Sequence, residues 1–174
     1  FCQKDLPAGS WYLVKEQRNW FKSRLTSLLI DHPQDIPFKI MIAGVASYVH
    51  AMGQLLIYTE VLNTLNKPLK IEVTFVDRCD FPLQQIQALI AVIDEQKFFR
   101  YKFNLAGNTY KCPKELTNRV RARKEEFLNL IIKYQTGDLT NGTLFPALQF
   151  DMISEHFMTS LLYKKHPSQV KFVL

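Results

Sequence analysis

The sequence contains no apolar run of the roughly 18 residues that a membrane-spanning helix needs, which excludes a helical span. No basic-then-apolar leader opens it, so a secreted product is not expected. It begins with Phe1 rather than Met, and part of the natural N-terminus is expected to precede it. Its three cysteines, Cys2, Cys79 and Cys112, form no CxxC pair and no ligand spacing with the four histidines. Neither a zinc site nor a disulfide framework is therefore expected, and a reducing, cytoplasmic setting fits. There is no GxGxxG, which argues against a nicotinamide dinucleotide fold of the usual kind. No internal repeat or low-complexity stretch is visible.

What remains is an ordinary globular composition, with 47% hydrophobic and 22% charged residues over 174 positions. That length suits one domain, 1–174, able to bury roughly two-thirds of its unfolded surface. The net charge of +6 suits an anionic partner, but the basic residues are dispersed except at Arg119, Arg121, Arg123 and Lys124. That cluster reads as a solvated helix face, so nucleic-acid binding is not supported.

Along the chain, Trp11 to Ile30 repeats apolar residues at three- and four-residue intervals and predicts an amphipathic helix within a leader spanning 1–37. Phe38 to Ala43 is a short apolar run ended by Gly44, the pattern of a buried parallel strand. A helix is predicted from about Ser47 to Leu65, a second strand from Leu69 to Val76, and a helix from Pro82 to Ile93. This alternation implies a doubly wound, mainly parallel Rossmann-like α/β sheet flanked by helices. The stretch from Asp94 to about Tyr110 is consistent with a hairpin, and Glu115 to Lys133 predicts one long helix. Short strands follow at 134–136, 150–154 and 170–174, with a helix at about 157–164 between the last two.

Ligands of open parallel sheets bind beyond the carboxyl ends of the strands. The residues there are Gly44, Val45, Ala46 and Ser47 after the first strand and Asp77 with Arg78 after the second. Gly137, Asp138 and Leu139 follow the third, and Glu155 with His156 the fourth. A glycine after the first strand admits a cofactor close to the backbone, and an acid after the second can accept hydrogen bonds from ribose hydroxyls. An ordinary turn glycine and acidic turn residues are the alternative readings.

IMIAGVAS at 40–47, VTFVDRC at 73–79, TGDL at 136–139 and FDMISEHFMTSLL at 150–162 together resemble the class I S-adenosylmethionine-dependent methyltransferases. The resemblance covers roughly Phe38 to Leu174. It implies S-adenosyl-L-methionine as cofactor, with Gly44 to Ser47 against its methionine part, Asp77 and Arg78 at the ribose, and Gly137 to Leu139 near the adenine. Glu155 closes the implied cofactor set, and His156 falls where a methyl acceptor is held, as the candidate general base. The acceptor is expected to be a small molecule or a protein. Relative to that family, Ala43, Ala46 and Tyr48 replace residues of a glycine-rich loop, the span 94–133 is an insertion, and the sheet lacks its last two strands. Those departures leave a non-catalytic interaction protein as the alternative, and an NAD-dependent oxidoreductase as a more distant one. Cys79 reads as a buried thiol rather than a nucleophile.

Overall fold

A computed structural model describes residues 15–45, 47–94, 102–138 and 150–155. Helix α1 (Lys15–Leu29) leads into strand β1 (Phe38–Ala43), helix α2 (Tyr48–Leu65), strand β2 (Ile71–Asp77) and helix α3 (Asp80–Asp94). The chain continues through β3 (Lys102–Leu105), β4 (Asn108–Lys111), α4 (Lys114–Arg121), α5 (Lys124–Leu128), β5 (Ile131–Thr136) and β6 (Met152–Glu155). Four strands form one parallel sheet in the order β5-β2-β1-β6, and β3 pairs with β4 as an antiparallel hairpin. The protein is thus α/β, a parallel sheet flanked by helices, compatible with a Rossmann-like fold.

Burial explains why the two central strands carry near-continuous apolar sequence. Phe38, Ile40 and Ile42 of β1 and Ile71, Val73 and Phe75 of β2 face the main core beneath the helices. Met41, Ala43 and Val76 form a smaller cluster on the opposite face with Phe150. Strands covered on both faces lose the in–out alternation that marks a half-exposed sheet. Fully burying one side chain such as Phe75 contributes about 1.5–3 kcal/mol, so the two strands anchor the domain.

Helix α2 is buried on nearly every side, from Val49 through Thr59, and is packed by α1, α3, α4 and α5. Ser47 caps its start, its Oγ accepting from the N–H groups of Val49 at 3.2 Å and His50 at 3.4 Å. Asn66 ends it in a left-handed conformation, with φ of 48°. Within this helix Tyr58 is fully buried with its ring 6.0 Å from that of Phe21, yet its hydroxyl finds no hydrogen-bond partner among the described residues. Burial pushes the ionisation of this phenol well above its ordinary value. An unsatisfied buried hydroxyl is a cost, so Tyr58→Phe is expected to raise stability by about 1 kcal/mol. The check is a higher denaturant midpoint at unchanged slope. A lower midpoint would mean that the hydroxyl is bonded after all.

One expectation is corrected. The single helix predicted over Glu115 to Lys133 is two short helices, broken at Ala122 and Arg123, followed by β5 from Ile131. Residues 131–136 pair with Glu72 to Asp77 and satisfy the outer backbone edge of β2, a demand that local periodicity does not reveal. In β5, Ile132 and Tyr134 turn to the core while Ile131 and Lys133 are exposed, a period of two where 3.6 was expected. The hairpin expected within Asp94 to about Tyr110 is present as β3 and β4. The predicted helix at 157–164 and strand at 170–174 lie outside the described residues.

Candidate functional site

The chain runs from β1 to β2 to β5 on one side of β1, then returns to β6 on the other. The reversal places a switch point between β1 and β6, the position beyond the carboxyl ends at which open parallel sheets bind ligands. Gly44 stands at that point. Its N–H donates to the Val76 carbonyl at 2.8 Å, one rung beyond the end of β1, and its φ of 73° then turns the chain away. A β-branched residue strongly resists that conformation. Gly44→Val is expected to lose about 1–3 kcal/mol of stability, read by chemical denaturation. An unchanged midpoint would show that the loop has no need of a left-handed residue.

Asp77, the last residue of β2, draws three strand ends together. Its Oδ2 accepts from the Val45 N–H at 2.7 Å and its Oδ1 from the Cys79 N–H at 2.9 Å. Its own carbonyl accepts from the Gly137 N–H at 2.9 Å, just past β5. Burial pushes the Asp77 carboxyl up, and hydrogen bonds from the backbone of Cys79, Val45 and Arg78 offset this only in part, leaving it above its ordinary value. Arg78 and Asp138 form an exposed ion pair at 3.9 Å across the ends of β2 and β5. Such a pair contributes little to stability. Thr136 hydrogen-bonds Asp80, joining the end of β5 to the start of α3.

Gly44, Val45, Ser47, Asp77, Arg78, Gly137 and Asp138 are thus gathered at the carboxyl edge of one sheet. Ser47 acts there as the cap of α2. Glu155 ends β6 opposite Ala43, with its side chain outside the described residues. Ala46, Leu139 and His156 lie outside them altogether. So do Phe98, Phe99 and Tyr101 and the Phe103 side chain, the aromatic run ahead of β4. The hairpin that follows them does reach this end of the sheet. Tyr110 of β4 meets the rings of Tyr48 and Phe81 edge-on at 6.1 and 6.2 Å, and the Tyr48 hydroxyl donates to the Lys111 carbonyl at 2.6 Å. Tyr48 opens α2 and Phe81 lies in the first turn of α3, so both helices that leave the carboxyl edge hold the hairpin.

Sequence reasoning missed a polar contact below the edge. Gln54 of α2, 1% exposed, donates from Nε2 to Ser154 Oγ of β6 at 2.7 Å. A glutamine in the middle of a mostly apolar stretch of helix was the available signal. Cys79 is disulfide-bonded, which corrects the reading of a buried thiol and leaves the reducing-compartment expectation without support from the cysteines. Cys112 is free and buried, and its thiol is pushed up to about 11 by burial. Among the described residues no group of three His, Cys, Asp or Glu side chains could hold a metal ion, and no helix is long and apolar enough to cross a membrane. No family model, curated protein or solved structure matches the chain.

Proposed function

We propose that this chain binds S-adenosyl-L-methionine at the carboxyl edge of a doubly wound, Rossmann-like sheet and transfers its methyl group to an acceptor, a small molecule or a protein. The observation that carries the reading is the coupling of Asp77 to the loop after β1 beside a glycine of positive φ. An ionised carboxylate has about four acceptor positions, and backbone N–H groups take only some of them. Both ribose hydroxyls of an adenosine can use the rest. The glycine leaves the backbone open to close approach, and Asp138 beyond β5 is the acceptor we assign to an adenine amine.

When bound, the sulfonium supplies an already activated methyl group, so the residues of the chain have chiefly to hold it in line with its acceptor. Orientation of this kind can account for roughly 7–11 kcal/mol of a barrier. His156 is the proposed base, a role that becomes necessary only if the acceptor must lose a proton.

The occupied state of Asp77 also favours a second reading, in which the carboxylate only ties loops together and the protein is a non-catalytic binding module. Calorimetry separates the two. Saturable heat with S-adenosylmethionine and none with NAD supports the proposal, whereas heat with NAD alone supports an oxidoreductase, and no heat with either supports the binding module.

A further inference from the structure

We propose that Gln54 recognises the amino-acid end of the nucleoside ligand, an inference that rests on the proposed site and adds a specificity residue to it. Gln54 is buried in the core, and only one end of its amide is matched, by Ser154. The other end, Oε1, finds no hydrogen-bond partner among the described residues. Such an orphan at the centre of an apolar helix costs stability and has no packing purpose that a leucine or methionine would not serve better.

Its place in the fold gives the orphan a use. Ser154 is paired with Ile42 in the β1–β6 register, two residues before Gly44. Two strand residues span roughly 6–7 Å, so the amide lies just beneath the switch point. Ser47, His50 and Gln54 are spaced by three and four residues, which puts them on one face of α2 in a line leading down from the glycine loop. His50 and Gln54 are both buried, and Gln54 carries this polar face of α2 to Ser154 of β6.

The chemistry selects the ligand group. Adenine and ribose are the parts assigned to Asp138 and Asp77, on the β2 and β5 side of Gly44. The part left for the β6 side is the zwitterionic amino acid, whose ammonium donates and whose carboxylate accepts. Because the Ser154 hydroxyl can both donate and accept, the Gln54 amide can turn either its oxygen or its nitrogen toward that group.

The test compares two probes by calorimetry, S-adenosylhomocysteine, which carries the amino acid, and methylthioadenosine, which does not. In the wild type the first should bind at least tenfold more tightly. Gln54→Met, similar in size and shape, should remove that preference by weakening S-adenosylhomocysteine about tenfold while leaving methylthioadenosine unchanged, and its denaturation midpoint should rise. Tyr58→Phe, which deletes the next orphan along α2, should leave both affinities as they are. Equal weakening of both probes by Gln54→Met, or no weakening of either, overturns the role of Gln54 alone. Failure of both probes to bind the wild type overturns the nucleoside site itself, and this inference with it.

Discussion

Asp77→Ala is expected to abolish measurable binding of S-adenosylmethionine and to lower stability by about 2–4 kcal/mol, since each hydrogen bond to a charged group contributes roughly 1.5–3 kcal/mol. The sequence suggests only the first effect, because an acid at a strand end reads as a ligand contact that the fold can spare. The hydrogen bonds from Val45 and Cys79 add the second. Without the carboxylate, the loop after β1 loses its tie to the end of β2. Asp77→Asn separates the two roles, because an amide retains one acceptor for the backbone but offers less to two ribose hydroxyls. It should recover part of the stability and little of the affinity. If folded Asp77→Ala bound S-adenosylmethionine as tightly as the wild type, the ribose assignment would be lost and the carboxylate would be a loop tether alone.

The second large effect is expected at Glu60. This α2 carboxylate, whose side chain is 11% exposed, pairs with Lys22 of α1 and Arg119 of α4 and so holds three helices together. Removing one member of a buried ionic group costs about 3–5 kcal/mol, because the partners stay desolvated. Lys22 and Arg119 are 32% and 25% exposed and can recover some solvation, which brings the expectation for Glu60→Ala down to about 2–3 kcal/mol. Burial by itself pushes the Glu60 carboxyl up, but Lys22 and Arg119 outweigh it and hold it below the ordinary value. The folded state therefore binds a proton less readily than the unfolded chain. The stabilisation is complete above the unfolded carboxylate range and is lost as pH falls through the lower folded value. Denaturation at neutral and at acid pH checks this: the deficit of Glu60→Ala against wild type should shrink on acidification. A deficit that stayed constant with pH would show that packing, not charge, is what Glu60 supplies.

Much of the frame was legible where burial and local chemistry agree. Phe38 to Ala43 has the same bounds in sequence and structure, because both its faces are covered and Gly44 ends it. Ser47 and Asn66 delimit α2 by capping, which is a local property. The misreading of 115–133 has the opposite cause. Ile131 and Ile132 continue a helical apolar stripe, but β2 offers a backbone edge 59 residues earlier in the chain, and pairing with it outweighs propensity. The site was legible as a set of strand ends. Its internal wiring was not: the Asp77–Val45 tether, the Gln54–Ser154 contact and the docking of Tyr110 between Tyr48 and Phe81 each join residues distant in sequence.

The most direct test of a nucleoside site at the carboxyl edge is a backbone amide NMR titration with S-adenosylhomocysteine. The amides of Gly44, Val45, Asp77, Gly137 and Asp138 should show the largest saturable shifts, while those of Phe38 and Ile71, at the opposite end of β1 and β2, stay in place. Shifts centred on the amino ends of the strands, or no shifts at saturating ligand, would contradict the account.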